Sequence, residues 1–396
     1  MFDSATHGDP GVVYLDNNAT TALDQRVLAA MLPYLQAQYG NPSSGHRLGR
    51  QARAAVDRAR QQVAALVGVH PSQVVFTSGG TEANNLALKG VAQRHSPGLM
   101  ASSVVEHSSV LAPLAALQGA GWELARLSVD ADGRLLEESL QAALARKPVL
   151  LALMAANNET GIVYNTGPVA QQARDAGAVV LVDAVQAAGK LPLDFATSGA
   201  HLMSLSAHKI YGPKGIGALV VDKAVDMAPL VHGGGHEKGR RAGTENVAAI
   251  VGFGRAAELA AAELEARRRR VGELREHLES RLVAELPGVA IFGQRAERLP
   301  NTSFFALPGL DGETLLMTLD QSGIAVSSGS ACGTGDVEPS HVLMAMGVEP
   351  GLARSAIRAS LGKDTTRDEV DRFVDCLKAQ AQALQGLGAM ACAVSG

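Results

Sequence analysis

The sequence predicts an α/β protein: a large, mostly parallel or mixed sheet covered on both faces, joined to a smaller α+β part. Three observations predict it. From Asn18 to about Ile250, helical segments alternate with short strands. Those strand segments are mostly apolar and often β-branched, the signature of a sheet buried on both sides. After a long charged helical stretch, Ala256 to Leu286, the pattern changes to strands with intervening helices. A chain of 396 residues also exceeds what one hydrophobic core usually serves, so two domains in contact are expected.

In chain order, Gln51 to Val67 (QARAAVDRARQQVAALV) has apolar residues at helical spacing and is followed by a turn at HPSQ and a strand, VVFT. SGGTEANNLALKG is a glycine turn opening a helix. Further strands are expected at ASSVV, PVLLALMA, AVVLVDA, HLMSLS and GALVV. Right-handed crossovers between them bring their C-terminal ends to one edge, the usual address of an α/β active site. The long helix contains the run RRRR at 267–270. Acidic residues surround that run, so it is expected to be a solvated face rather than a nucleic-acid surface. Beyond it, VAIFG, TSFFAL, GIAVSS and SAIRASL are strands of the smaller part, and a terminal helix lies near TRDEVDRFVDCLKAQAQALQ. The last stretch, LGAMACAVSG, carries weak structure signals.

Composition narrows the function classes. With 46% hydrophobic and 19% charged residues the chain is globular rather than disordered. Aromatics make up only 4%, so the core must be built from Ala, Val, Leu and Met. A formal charge of −4 provides no overall basic field for nucleic acid. Cys332, Cys376 and Cys392 are too few and too irregular for a disulfide framework or a structural zinc site. The first residues, MFDSATHGDP, do not have the form of a signal peptide, and no apolar run approaches the ~20 residues of a membrane span. A cytoplasmic protein with free thiols is expected.

The chemistry-bearing residues fall at strand ends. Lys209, in SLSAHKIYGPKG, follows an apolar strand and precedes a tight Gly/Pro loop. An isolated lysine is usually a solvated surface group, but an amine at a buried strand end is desolvated and becomes a nucleophile suited to a Schiff base. Ser206 and His208 stand beside it as donors. Asp183, ending VVLVDA, is either a local cap or the partner of a buried cation. Pyridoxal phosphate requires such an acid at its ring nitrogen. Gln186 is a donor toward the ring oxygen or a plain helix residue, and Asn158, in MAANNETG, closes another strand. His107, in VVEHSSV, is either a satisfied strand-end residue or a proton carrier over a flat ring. Gly79, Gly80 and Thr81, at a helix start, form a phosphate cradle that is neither GxxxxGK[ST] nor GxGxxG, which counts against ATP and NAD.

Taken together, YLDNNATT, YGNPSS, FTSGGTEANN, VVEHSSV, ANNETG, VDAVQAAGK, SAHKIYGPKG, GRRAGTEN and SSGSAC…EPSHVL resemble the cysteine desulfurases of the NifS/IscS type, within the class V aminotransferases. The resemblance runs from about Tyr14 to Leu361. It implies a fold-type I pyridoxal-phosphate transferase whose large domain, 16–258, holds a mostly parallel seven-stranded sheet sandwiched by helices. Residues 1–15 and 259–396 then form the small domain, with a mobile cysteine loop at about 327–340. It also implies Lys209 as the Schiff-base lysine, Asp183 on the pyridine nitrogen, Gln186 and Asn158 on the phenolate side, and His107 stacked on the ring. Gly80, Thr81, Ser206 and His208 match phosphate ligands, and Thr244 matches a phosphate contact supplied across a homodimer interface. Arg358 matches the holder of the substrate carboxylate, for which a bidentate fork is the physical reason, with Asn41 assisting from the same side.

The implied activity is removal of sulfur from L-cysteine, giving L-alanine and a persulfide on Cys332, a sulfurtransferase reaction. The acceptor implied is an iron–sulfur scaffold protein of the NifU/IscU type. No intrinsic metal site is expected, and Cys332 stands as a candidate transient iron–sulfur ligand. Neither nucleic acid nor membrane is an expected partner. A Gly/Ser-rich loop suits a thiol that must first reach substrate and then meet another protein. Cys376, in DRFVDCLKAQ, belongs on an amphipathic helix in a structural role. The segment after Cys332, GTGDVEPS, departs from the Ser/Thr-rich run of many relatives and adds Asp336. Rival readings are a selenocysteine lyase, an aminotransferase, a donor to a pathway other than iron–sulfur assembly, or a non-catalytic sulfur carrier. The GRRAGTEN and EPSHVL runs resemble the nitrogen-fixation type.

Overall fold

The computed structural model describes residues 11–328 and 338–394, with side chains through 384. Cys332 and Asp336 lie outside the described residues. The first strands in chain order are β1 (Val13–Tyr14), β2 (Val74–Thr77), β3 (Leu99–Ser103), β4 (Glu123–Leu127), β5 (Leu150–Met154), β6 (Val179–Asp183), β7 (Leu202–Ser206) and β8 (Gly217–Val221). They are followed by β9 (Ala290–Ile291), β10 (Thr302–Ala306), β11 (Ile324–Ala325), β12 (Ser327–Ser328) and β13 (Ala356–Ser360). A seven-stranded sheet has the order β2-β8-β7-β6-β5-β3-β4, and β8 is its antiparallel member.

The apolar runs become these strands because both sheet faces are buried. Successive residues point to opposite faces. Leu151, Leu153, Val180, Val182, Met203 and Leu205 enter one cluster, with Val56, Val63, Ala173 and Phe253 from the helices Arg47–Leu66, Thr166–Asp175 and Val247–Glu285. Their neighbours Leu150, Ala152, Leu181 and Leu202 enter another, with Leu86, Val91, Val110 and Leu114 from the helices Gly80–Ala92 and Ser108–Gly119. The expected strands all appear, each within two or three residues of its predicted ends. β4 was not anticipated: ELARL is charged and partly exposed, as an edge strand can be, and so lacks the apolar signal.

The second part is built on an antiparallel sheet of order β12-β13-β10-β9. GIAVSS divides, its first half pairing in parallel with β1 and its second with β13. A third cluster gathers Val13, Leu15, Leu278, Leu282, Phe305, Leu315, Ile357, Ala359, Phe373 and Leu377. The long helix starts at Val247, nine residues before the charged stretch, because its first turns are small and apolar and pack on the large sheet. Its later turns contribute Val271, Leu278 and Leu282 to the third cluster. The RRRR run is only partly a solvated face. Arg267 pairs with Glu263 and lies over the Tyr211 ring, and Arg270 donates to the Lys363 and Thr365 carbonyls. The terminal helix runs from Arg367 to Val394, taking in most of the stretch with weak signals, and Cys376 is half-buried on it against the third cluster.

One close approach fixes the edge where the site forms. A Cβ on Gly217 of β8 would lie 2.6 Å from the Leu205 carbonyl oxygen and 2.7 Å from Gly79 Cα, so only glycine lets the 79–81 turn settle against the sheet. Gly217→Ala is therefore expected to destabilise the fold by roughly 1–3 kcal/mol, measured by chemical denaturation.

Candidate active site

The parallel strands end together. The ends of β3, β5, β6 and β7, with the turn after β2, surround a cavity of about 390 Å³. Its wall includes Gly80, Thr81, His107, Asn158, Asp183, Gln186, Ser206, His208, Lys209 and Arg358. Asn41 and Thr244 are exposed and do not line this cavity in the single chain, and the Asn41 side chain accepts the Ser43 N–H at 2.9 Å.

Lys209 sits in a 3-10 turn, Ala207–Lys209, directly after β7, and the chain then turns through Tyr211 at φ 68°. Its Nζ donates to the carbonyls of Asn18 at 2.5 Å and Ala19 at 2.7 Å. Burial, then the Arg358 charge, brings its pKa down to about 8. His208 is pushed down to about 4, first by burial and then by the Lys209 and Lys214 charges.

Asp183 closes β6 and is buried. Its Oδ1 accepts the Val185 N–H at 3.0 Å and its Oδ2 accepts Asn84 Nδ2 at 2.8 Å. The local-cap reading is thus correct for one oxygen, and each oxygen keeps a second lone pair. Asn84 also donates to Ser109 Oγ at 2.9 Å, which lies 2.8 Å from His107 Nδ1. His107 caps the helix Ser108–Gly119, its Nδ1 accepting the Ser109 N–H at 3.1 Å. That bond leaves Nδ1 without a proton, so the neutral ring carries its proton on Nε2. Burial lowers the His107 pKa and keeps the ring neutral, against an opposing pull from Asp183.

Three features fit a phosphate at one end of the cavity. The helix Gly80–Ala92 begins at Gly79 with no side chain capping its first N–H groups. Ser206 Oγ is buried and has no partner among the described residues. A Cβ on Gly80 would lie 2.7 Å from Val185 Cγ2, so the cradle admits only glycine there. Asp183 at the cavity wall fits a ring cation and Lys209 an aldehyde, so the residues present fit pyridoxal phosphate.

Gln186 Nε2 donates to the Asn18 carbonyl at 2.9 Å, and Lys190 Nζ donates to Gln186 Oε1 at 2.7 Å and Asn18 Oδ1 at 2.8 Å. Asn18 Nδ2 in turn donates to the Asn158 carbonyl at 3.1 Å and Thr302 Oγ1 at 2.9 Å. Arg358 reaches the cavity from β13, on the face opposite Ile357 and Ala359. Sequence reasoning missed Asp16, Asn18, Asn84, Ser109 and Lys190. Asp16 and Asn18 lay within the quoted YLDNNATT, and Lys190 within VDAVQAAGK, so the motifs were visible while the contacts were not.

The chain belongs to the aminotransferase class-V family, which it matches over residues 13–373. A cysteine desulfurase of Trichormus azollae is 44% identical over 378 residues, 95% of this chain and 94% of the relative. One of Cereibacter sphaeroides is 46% identical over 383 residues, 95% of this chain and 98% of the relative. Among solved structures, a NifS-like protein superposes with TM-score 0.88 at 38% identity, covering 94% of this chain and 99% of that one. A NifS-like protein from Rickettsia africae gives 0.86 at 32% identity, with the same coverage. The fold is accordingly of fold type I. Among the described residues no helix is long and apolar enough to cross a membrane, and no cluster of His, Cys, Asp and Glu could hold a metal ion.

Glu106, beside His107, is fully buried; its Oε1 accepts from Ser103 Oγ at 2.6 Å and from the Met154 N–H at 3.0 Å. Burial raises its pKa from 4.5 to about 8. At neutral pH the folded chain holds this proton and the unfolded chain does not. Stability is therefore greatest below about pH 4.5 as far as this group is concerned, and falls as pH rises towards about 8. Glu106→Gln should remove that slope, so its stability relative to the parent should rise between pH 5 and 8 by on the order of 1–4 kcal/mol, read from denaturation curves at each pH.

Proposed function

We propose that this chain is a pyridoxal-phosphate-dependent cysteine desulfurase that takes sulfur from L-cysteine and leaves L-alanine. One observation carries the reading: Lys209, Asp183, His107, Arg358 and the Gly80–Thr81–Ser206 cradle converge on one cavity of cofactor size. Its relatives named as cysteine desulfurases match nearly end to end, which supports the same activity here. When bound, the cofactor supplies an electron sink for the substrate's Cα and Cβ.

In this reading Gly80, Thr81, Ser206 and His208 hold the phosphate, and Thr244 serves the cavity of the other subunit in a homodimer. Asp183 faces the ring nitrogen, with Asn84 fixing its second oxygen. Gln186 and Asn158 would hold the phenolate side of the cofactor, and His107, whose proton is on Nε2, would hold the ring. Arg358 holds the substrate carboxylate, assisted by Asn41, and this orients the Cα–H bond toward Lys209. Lys209, neutral above about pH 8 in the cofactor-free chain, is the base that takes the Cα proton. The thiolate of Cys332 then bonds to the substrate sulfur while the Cβ–S bond breaks. Its electron pair stays on the carbon fragment, which takes a proton and leaves as alanine. The persulfide on Cys332 passes to an iron–sulfur scaffold protein. Residues 16–258 act as the cofactor-binding part, and 1–15 with 259–396 as the part that carries Arg358 and Cys332.

Purified protein with L-cysteine and a thiol reductant should release alanine and sulfide in equal amounts. Lys209→Ala and Cys332→Ala should each lower the rate at least ~10²-fold. Sulfide release that survives Cys332→Ala would remove the thiol from the mechanism. In a separate measurement, cofactor-free protein should take up pyridoxal phosphate faster as pH rises, with a midpoint near the Lys209 value of about 8. The absorbance band of the bound cofactor follows that uptake.

A further inference from the structure

The segment Leu15–Asn18 is laced to the strand that carries Arg358. Ser360 N–H donates to the Leu15 carbonyl at 2.6 Å, and Asn17 returns two bonds to the Ser360 carbonyl, from its backbone N–H at 3.1 Å and from Nδ2 at 2.9 Å. Asn18 N–H donates to Ser360 Oγ at 2.9 Å. The backbone of Asp16 is therefore fixed relative to β13, and its carboxylate is fixed relative to Arg358. Asp16 Oδ1 accepts from Arg358 Nη2 at 2.6 Å, with side-chain exposures of 21% and 9%. Nη1 donates to the Asn158 carbonyl at 3.1 Å. Nε is buried and has no partner among the described residues.

A guanidinium offers five N–H donors in one plane. Two are engaged here, and a buried Nε–H left unpaired is costly, so the group is built for an acceptor that arrives later. An arginine in this wall without a counter-charge would carry an uncompensated, largely buried charge and could swing away from the cavity. We propose that Asp16 is a positioning residue for substrate binding. It neutralises Arg358 and holds it by one edge of Nη2, leaving Nε–H and the remaining Nη hydrogens for the carboxylate of the amino-acid substrate. Asp16 acts on the carboxylate end of the substrate through Arg358, so its removal weakens carboxylate recognition and leaves the chemical step largely intact. The inference rests on the cysteine desulfurase reading.

The test is steady-state kinetics of sulfide release, in the presence of a thiol reductant, by the pyridoxal-phosphate-loaded protein and its Asp16→Ala, Asp16→Asn and Asp16→Glu variants. Each is assayed with L-cysteine and with L-cysteinamide, which lacks the carboxylate. Asp16→Ala should raise KM for L-cysteine roughly 10-fold or more while kcat stays within about 3-fold. The preference for L-cysteine over the amide should fall by a similar factor, a change that a general loss of structure would not produce. Asp16→Glu should recover part of the preference. Asp16→Asn, of the same shape, should lie between the parent and Asp16→Ala, and it decides the matter if Asp16→Ala does not fold. An unchanged KM overturns the proposal, as does a lower one, which would make Asp16 a competitor for the arginine. A parent protein that releases no sulfide from L-cysteine overturns the activity reading instead.

Discussion

The active-site edge depends on how one short segment, Asp16 to Ala19, is held. It leaves the third cluster at Leu15, crosses beside β13, and ends over the turn after β7. On one side it gives a carboxylate to Arg358; on the other it gives two carbonyls to Lys209. Between them Asn18 gathers bonds to or from Gln186, Lys190, Asn301, Thr302 and Asn158. A buried polar network of this kind is favourable only when its members are satisfied. That condition ties the position of the lysine to the position of the arginine.

The same burial sets the charge states. Desolvation is the first cause of the low pKa of Lys209, of His107 and of His208, and of the high pKa of Glu106. Each shift favours the uncharged form. For Lys209 the consequence is a nucleophilic amine close to neutral pH; for His107 it is an imidazole that keeps one proton to give and one nitrogen bound to its own helix. Glu106 shows the cost. A carboxyl that is neutral in the fold and charged in the unfolded chain opposes folding above its ordinary pKa.

Much of this is legible in the sequence. The inner strands of the large sheet read as largely apolar runs because both faces are buried, and the candidate site residues sit at the strand ends that carry the motifs. What stayed hidden has identifiable causes. β4 is an edge strand with charges, so no apolar run marks it. The long helix begins among alanines and glycines of VAAIVGFGRAA, where no charge periodicity announces it. Arg267 and Arg270 looked like solvent-facing charges because their partners, Tyr211 and the 363–365 turn, are distant in sequence. Asp16 is separated from Arg358 by 342 residues, and Asn84 from Asp183 by 99, so only the fold brings either pair together.

The two clusters that meet at β10 and β13 explain why such distant pairs can be held so closely. Along β10, Phe304 enters the cluster under the large sheet and Phe305 enters the third cluster. Along β13, Ala356 belongs to the first, Ile357 and Ala359 to the third, and Arg358 is left on the cavity side. The period of two that buries apolar residues on both faces of this sheet also decides that an arginine at 358, and not at 357 or 359, points at Asp16. A one-residue slip in the pairing of β13 with β10 would bury that charge in the third cluster. The cost of doing so pins the register, and through it the distance from Arg358 to Lys209. Site geometry is in this sense enforced by the core: the same alternation that stabilises the fold sets where Arg358 meets Asp16 at the cavity wall.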